Sequence, residues 1–409
     1  MSETNIGTRV RRRAPNEESI FQFVKGLLAQ ADVEVGGSRP RDIRLNDNDM
    51  PRRVLAHGSL GLGEAYMDGR WECDHLDQFF ARVLRARLDE QVRPGRLVLH
   101  ALRARMTNRQ TARRSWRVGE RHYDIGNEFY AAMLDHRMTY TCAWWSAGAR
   151  SLDAAQEDKL DLICCKLQLR PGMRLLDIGC GWGSLMGFAA EYYGVKCVGV
   201  TISREQAQWA AQRYQGLPLE FRLQDYRTIN ERFDRIASIG MFEHVGPKNY
   251  RTYMKVAHRC LTEDGIFLLH TIGKNRRETA PDPWIDRYIF PNGELPAIGQ
   301  IADAAAGLFV TEDLHNFGAD YDRTLMSWHA NFESAWLRFE FQFGPRFYRM
   351  WRYYLLSCAG LFRAREAQLW QWIFTRNGMS GGYHRPSNSH RGVQPHEQRL
   401  VTDVNGSGL

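Results

Sequence analysis

The chain has 409 residues, of which 44% are hydrophobic and 25% are charged, and its formal net charge is +8. This length suits one large domain and a smaller one, and the composition is ordinary for a soluble globular protein. No apolar run approaches the roughly 20 residues of a membrane-spanning helix, and the polar N-terminus lacks the apolar segment of a secretory signal. Eight scattered cysteines without a Cys-x-x-Cys pair predict reduced thiols in a cytoplasmic protein, without disulfides or structural zinc.

The N-terminal part of the sequence predicts a small, mainly helical domain. Residues 1–16 are polar and basic, and we expect them to form a disordered tail. Apolar residues recur at helical spacing in residues 17–31 and again in residues 79–84, as amphipathic helices require. We therefore assign residues 17–120 to an N-terminal, membrane-associated domain with its linker.

A strongly basic stretch follows in this part of the chain. Between Gln91 and Gly119 the sequence holds eight arginines and no acidic residue. Apolar residues alternate with these arginines from Arg96 to Trp116, which predicts a basic amphipathic helix able to lie on a membrane surface. Charge alone is compatible with phospholipid headgroups, with nucleic acid or with an ordinary solvated helix face, and the apolar side could instead pack on the next domain.

Strands and helices alternate from Met173 onward. The pattern predicts strands at 195–202, 219–224, 233–239 and 266–271, with helices at 185–193, 204–214 and 250–260. Such alternation is typical of a mostly parallel sheet with helices on both faces. Residues 276–330 interrupt the pattern, residues 333–370 are predicted to be helical, and residues 378–409 are predicted to be a disordered tail.

A glycine-rich turn at the start of this region indicates a ligand site. Leu175, Leu176 and Ile178 predict a strand buried on both faces, and it is followed at once by Gly179, Gly181 and Gly183. A dinucleotide fingerprint would need a glycine where Ser184 stands, so a pyrophosphate cradle is disfavoured. Asp177 ends the strand, where a carboxylate could meet a cationic amino-acid group. The alternative is a tight turn that binds nothing.

The other predicted strands also end in residues suited to a ligand, as expected for the carboxyl edge of a doubly wound sheet. Ser203 and Gln206 could bind ribose hydroxyls, and Gln224 with Asp225 suits an adenine amino group. Singly, these residues have structural explanations: a Glu–His pair forms local ion pairs, a buried histidine such as His270 is commonly a core residue, and Cys142 is a small apolar filler. Their shared position at strand ends favours the functional interpretation.

Taken together, the motifs resemble the cyclopropane-fatty-acyl-phospholipid synthases that carry an extra N-terminal domain, over roughly residues 17–376. The motifs that carry the resemblance are Gly58-Ser-Leu-Gly-Leu-Gly-Glu-Ala-Tyr-Met-Asp-Gly69, His122-Tyr-Asp-Ile-Gly-Asn127, Tyr140-Thr-Cys-Ala-Trp144, Leu176-Asp-Ile-Gly-Cys-Gly-Trp-Gly183, Gly240-Met-Phe-Glu-His-Val-Gly246, Asn316-Phe-Gly-Ala-Asp-Tyr321 and Ser357-Cys-Ala-Gly360. The resemblance implies a Rossmann-like class I methyltransferase sheet with helices on both faces, in a catalytic domain at residues 121–377, plus the smaller, mainly helical N-terminal domain.

The resemblance also implies the reaction and its residues. Family members transfer a methylene from S-adenosylmethionine to the cis double bond of unsaturated acyl chains in membrane phospholipids, through a carbocation that bound bicarbonate deprotonates. The positions implied or suited to hold S-adenosylmethionine are Tyr140, Thr141, Asp177, Gly179, Cys180, Gly181, Trp182, Gly183, Thr201, Ile202, Ser203, Gln206, Gln224 and Asp225. Those that match the bicarbonate site are Cys142, Glu243, His270, Ile272 and Tyr321. Cys358 matches a cysteine once assigned to the active site, although the reaction has no step for a thiol nucleophile.

The expected partners are unsaturated phospholipids, with peripheral association at the inner face of the membrane, no metal, no nucleic acid and a homodimer. Two other functions remain open from the sequence. A small-molecule N-methyltransferase could use the same catalytic scaffold, but it would not need a basic, lipid-facing N-terminal domain. A non-catalytic membrane- or nucleic-acid-binding protein would use the arginine stretch, but it would not need the set of strand-end residues.

Overall fold

The computed structural model describes residues 17–92, 125–277 and 281–386. The N-terminal part is mainly helical, as predicted, with one two-stranded antiparallel sheet. Its elements are α1 (Glu17–Gln30), β1 (Arg44–Leu45), α2 (Met50–His57), α3 (Ser59–Met67), β2 (Trp71–Glu72), α4 (Leu76–Arg85) and α5 (Leu88–Gln91). The arginine-rich stretch predicted as an amphipathic helix and the tail predicted at residues 1–16 lie outside the described residues.

The following part alternates strands with helices. Its first elements are α6 (Asn127–Met133), α7 (Leu152–Lys166), β3 (Arg174–Ile178), α8 (Ser184–Tyr193), β4 (Lys196–Thr201), α9 (Arg204–Arg213), β5 (Leu219–Leu223), β6 (Phe233–Ile239), α10 (Tyr250–Cys260) and β7 (Leu261–Lys274). The remaining elements are α11 (Pro283–Tyr288), α12 (Ile298–Ala305), β8 (Val310–Asn316), α13 (Ala319–Ala335), α14 (Glu340–Arg363) and β9 (Ala367–Thr375). Short 3-10 turns lie at Tyr226–Thr228, Phe242–His244 and Trp336–Arg338.

One seven-stranded sheet organises this part, in the order β5-β4-β3-β6-β7-β9-β8. Strands β3, β4, β5, β6 and β7 are parallel to one another. Strand β9 is antiparallel to both of its neighbours, β7 and β8. The prediction of a mostly parallel sheet flanked by helices is confirmed. Chain order reverses between β3 and β6, so their carboxyl ends flank the crevice where ligands of doubly wound sheets bind.

Two strands correct the sequence interpretation. Strand β8 lies in the stretch taken as an interruption, and β9 lies at the end of the stretch predicted to be helical. All nine residues of β9 are buried, so its sequence shows no alternation of apolar and polar residues that would distinguish a strand from a buried helix. Residues 378–386 were assigned to the disordered tail, but here Tyr383 Oη donates to the Lys166 carbonyl and Arg385 pairs with Asp313. Residues 387–409 lie outside the described residues.

The N-terminal helices pack on α14, and both parts contribute to one hydrophobic cluster. The ring of Phe80 in α4 lies edge-on to Tyr353 in α14, with 5.2 Å between ring centroids. Arg363 near the end of α14 forms ion pairs with Asp77 of α4 and with Asp322. The domain boundary near residue 120 stays a prediction, because it falls outside the described residues.

The two parts approach each other closely at Gly360. A Cβ there would lie 2.6 Å from Cβ of Phe80 and 2.8 Å from the Asp77 carbonyl oxygen. Overpacking costs about 1–3 kcal/mol, more than the roughly 1 kcal/mol that alanine gains over glycine in a helix. We expect Gly360→Ala to lower the melting temperature in calorimetry. The matched change Gly299→Ala in α12, where a Cβ meets nothing within 4 Å, should leave it unchanged or higher; equal effects would contradict tight docking.

Candidate active site

The glycine turn after β3 forms the floor of the crevice. Gly179, Gly181 and Gly183 all have positive φ angles, of 86°, 53° and 79°, which residues with a Cβ rarely adopt. At Gly179 a Cβ would also lie 2.6 Å from Cγ of Met241, which follows β6. The turn therefore brings bare backbone to the crevice, as a nucleoside ligand requires for close approach.

Asp177 carries an unpaired buried charge beside this turn. Its Oδ1 has no hydrogen-bond partner among the described residues, and burial raises its pKa to about 7, although the positive charge of Lys159 opposes the shift. A buried carboxylate without a partner is costly unless a ligand compensates it. The site therefore fits the cationic amino-acid group of S-adenosylmethionine, which Asp177 would hold while the glycine backbone lies against the rest.

Lys159 is a site residue that the sequence analysis missed. It projects from α7 and is fully buried, and its Nζ donates to Thr141 Oγ1 at 2.8 Å. Burial lowers its pKa to about 8, while Asp135, Cys142 and Asp177 oppose the shift. No local signal identifies it, because a lysine in a helix of mixed polarity is ordinarily exposed.

The other residues predicted for S-adenosylmethionine lie at the expected strand ends and also have local structural partners. Ser203 caps α9 by accepting from the Gln206 N–H, and Thr201 Oγ1 accepts from the Ser203 N–H; Ile202 lies between them. Gln224 donates to Thr228 Oγ1, and Asp225 pairs with Arg227. Nearer the glycine turn, Trp182 Nε1 donates to Asn127, Tyr140 Oη lies 2.9 Å from Tyr354 Oη, and Cys180 is buried.

Glu243 lies in the 3-10 turn after β6 and is buried. Its Oε1 accepts the Ile272 N–H at 2.7 Å, and its Oε2 has no partner among the described residues. Burial raises its pKa to about 7, and the hydrogen bond from Ile272 partly opposes the shift. Ile272 therefore contributes to the site by orienting Glu243 through its backbone N–H.

His270 in β7 is a second buried residue of the site with an unpartnered polar atom. Its Nδ1 lies 3.1 Å from Gln371 Nε2 on β9, and its Nε2 has no partner among the described residues. Burial, followed by the charges of Lys159 and Lys166, lowers its pKa well below the ordinary value. The imidazole is therefore neutral, because its charged form is not solvated.

Tyr321 and the two cysteines complete the predicted set. Burial raises the pKa of Tyr321 far above its ordinary value, and Cys142, Tyr140, Glu243 and Cys358 raise it further, so each of these groups lies within electrostatic reach of Tyr321. The Cys142 thiol donates to the Ala143 carbonyl. Its sulfur lies 3.9 Å from Oγ1 of Thr324, a residue that the sequence does not predict for the site. Burial raises the pKa of Cys358 to about 12, so this thiol is protonated and is a poor nucleophile.

Aromatic rings enclose these polar groups. The ring of Tyr140 lies 5.2 Å from that of Trp328, and Tyr321 lies 5.9 Å from Trp328 and 4.5 Å from Phe362, measured between centroids. Such rings exclude water, and their faces can stabilise a nearby cation.

Fold and site together define an S-adenosylmethionine-dependent methyltransferase of class I. The family described as mycolic acid cyclopropane synthetase matches residues 109–372. The cyclopropane-fatty-acyl-phospholipid synthase of Escherichia coli strain K12 is 52% identical over 367 residues, which cover 89% of this chain and 96% of that protein. The chain belongs to the mycolic acid cyclopropane synthetase family.

Solved structures agree with this assignment. A cyclopropane synthase from Mycobacterium tuberculosis is 32% identical with a TM-score of 0.59, covering 63% of this chain and 97% of that one. A mycolic acid cyclopropane synthase complexed with SAH and CTAB is 33% identical with a TM-score of 0.60, again over 63% and 97% of the two chains. A coclaurine N-methyltransferase has a TM-score of 0.64 at 24% identity, and that likeness shows the fold alone.

The unpaired carboxylate predicts how cofactor affinity depends on pH. Because the pKa of Asp177 is raised to about 7, a cationic ligand should bind less tightly as pH falls through that value. We expect Asp177→Asn to weaken S-adenosylmethionine binding tenfold or more, since a charged hydrogen bond contributes about 1.5–3 kcal/mol, and to flatten its pH dependence. Calorimetry on either side of pH 7 measures both. Glu243→Gln, the matched amide variant at the same edge, should keep affinity and pH dependence; an unchanged Asp177→Asn would exclude the contact.

Proposed function

We propose that the protein transfers a methylene group from S-adenosylmethionine to the cis double bond of unsaturated acyl chains in membrane phospholipids, with bicarbonate bound in the active site. The observation that carries this proposal is a pair of buried, unpartnered atoms, the acceptor Glu243 Oε2 and Nε2 of neutral His270. Membership of the family and the name of the Escherichia coli relative support the substrate class.

Methyl transfer itself requires the protein to provide alignment and to exclude water. S-adenosylmethionine supplies a methyl group that is already electrophilic, so the residues around it need to align it with the double bond and keep water out. The buried rings of Tyr321 and Trp328 and the partly buried ring of Tyr140 suit both tasks. Their faces stabilise the positive charge that develops on the acyl chain.

Loss of a proton from the added methyl closes the ring, and bicarbonate, when bound, supplies a base for it. A bicarbonate ion offers one hydroxyl donor and several acceptor oxygens. Glu243 Oε2 can accept from the hydroxyl, and His270 can donate to an oxygen. Tyr321 lies within electrostatic reach of both Cys142 and Glu243. In this arrangement bicarbonate is the base and Glu243 orients it, so no other charged side chain is needed beside the acyl chain.

Analysis of total fatty acids tests the function. Expression in cells that lack cyclopropane fatty acids should produce a new acyl species, heavier than an unsaturated precursor by one methylene. Glu243→Gln nearly keeps the volume but replaces the acceptor with an amide donor, and losing one orienting contact of this kind typically costs about 10²–10³ in rate. Bicarbonate should stimulate purified enzyme stripped of the ion and should rescue this variant poorly.

Two outcomes would contradict the proposal separately. If wild-type protein yields no heavier acyl species although it binds S-adenosylmethionine, the substrate class is wrong. If Glu243→Gln turns over at the wild-type rate, the class stands and Glu243 has no part in proton removal.

Access to phospholipid requires a membrane contact, which we propose at the corner between α13 and α14. Leu337 and Phe341, four residues apart, are the most exposed large apolar residues that the structure describes, with relative solvent accessibilities of 81% and 104%. Arg338, next to Leu337, is also exposed. Exposed apolar side chains with a basic neighbour match an anionic bilayer. No described helix is long and apolar enough to cross a membrane. Location at the inner face and a homodimer stay predictions.

Vesicle sedimentation tests the corner. Replacing both residues, Leu337→Gln and Phe341→Gln, should weaken binding to anionic vesicles on the order of tenfold or more, because burying one such side chain contributes about 1.5–3 kcal/mol. Val310→Gln, at an exposed position of β8, is the control and should bind as wild type. Unchanged vesicle binding would refute the proposal, and a loss of dimers with unchanged binding would make the corner a contact between two copies.

A further inference from the structure

Gln371 lies directly behind the active-site histidine and belongs to none of the predicted sites. It is fully buried in β9, opposite His270 of β7 on one side and His315 of β8 on the other. Side chains directly opposite one another on antiparallel strands are close enough to interact. Gln371 therefore joins three neighbouring strands in one buried polar row.

The orientation of its amide is determined by Lys166. Lys166 at the end of α7 is also fully buried, and its Nζ donates to Gln371 Oε1 at 2.7 Å and lies 2.9 Å from His315 Nδ1. Burial lowers the pKa of Lys166 to about 7. Below that pH it is an ammonium group, which donates hydrogen bonds and accepts none, so the amide oxygen then faces Lys166. The amide nitrogen then faces His270, in agreement with the 3.1 Å separation between Gln371 Nε2 and His270 Nδ1.

This orientation determines the tautomer of His270. An amide NH₂ can only donate, so Nδ1 of the imidazole must accept from it. A neutral imidazole carries one proton, which is then on Nε2. That Nε2–H has no hydrogen-bond partner among the described residues, so it is a donor available to a ligand.

We propose that Gln371, oriented by Lys166, is a positioning residue that holds His270 in the Nε2–H tautomer and so makes it a donor to the oxyanion in the active site. The role deepens the proposed function and rests on it for the identity of the anion. The opposite tautomer would present a lone pair at Nε2. A lone pair would repel an anionic oxygen where the reaction needs a donor.

The substitution Gln371→Glu tests this role by reversing one hydrogen bond. Glutamate keeps the shape and gains an ion pair with Lys166, but a carboxylate accepts from Nδ1–H and moves the imidazole proton there. Nitrogen NMR of histidine-labelled protein in mildly acidic buffer, below the pKa of Lys166 and above that of His270, should show the Nε2–H form in wild type and the Nδ1–H form in the variant. Turnover should fall on the order of 10², the bicarbonate concentration for half-maximal rate should rise, and S-adenosylmethionine affinity should be unchanged.

Two further variants separate this role from a loss of stability. Gln368→Glu makes the same chemical change at another buried position of β9, where the side chain contacts Asn275, Asn316 and Arg365 but not His270. It should leave the tautomer and the bicarbonate dependence as in wild type. Lys166→Met removes the group that orients the amide and should partly populate the second tautomer.

Each result decides the proposal. An unchanged tautomer in Gln371→Glu, or a changed tautomer with wild-type turnover and bicarbonate dependence, overturns it. The NMR measurement needs no substrate. If wild-type protein forms no cyclopropane lipid, the proposed function fails while the tautomer assignment is still tested on its own.

Discussion

Burial of polar atoms that lack a hydrogen-bond partner among the described residues is the constraint on which this active site depends. Asp177, Glu243 and His270 lie at the carboxyl edge of one sheet, and each exposes less than a tenth of its surface. Each also has one atom without a hydrogen bond among the described residues. Leaving such an atom unpaired costs about 1–3 kcal/mol. A ligand that supplies the missing partners would recover that cost as binding free energy.

The fold explains why these groups lie together. Parallel strands β3, β6 and β7 end at the same edge, and the reversal of chain order opens the crevice between the first two. Antiparallel β9 pairs with β7, so the position opposite His270 is occupied by Gln371 from another strand. On the other side, α14 carries Cys358 and Tyr354 toward the site and packs on the N-terminal helices. The N-terminal part thus stabilises the helix that contacts Tyr140 through Tyr354.

Local patterns were sufficient to place the glycine turn, Glu243 and His270 near the carboxyl ends of strands, because strand alternation locates that edge. The roles of Glu243 and His270 come from the family resemblance and stay predictions. Lys159, Lys166 and Gln371 could not be placed in this way, because each is a common polar residue whose burial results from long-range packing. Both lysines lie in α7, and the position of a residue in a helix does not reveal that its charge is buried. Strand β9 was missed for the same reason, since complete burial removes the alternation that marks a strand.

The polarity of Glu243 and His270 restricts which anion the proposed site would accept. In the proposed tautomer His270 offers a donor, and Glu243 above its pKa of about 7 offers an acceptor, so the matching ligand would both accept and donate. An anion such as chloride satisfies the histidine but leaves Glu243 Oε2 unpaired, and its charge opposes that of the carboxylate. An oxyanion that carries a hydroxyl satisfies both groups at once. Because burial raises the pKa of Glu243 to about 7, lower pH converts this acceptor into a donor, and the selectivity for a hydroxyl-bearing anion should then weaken.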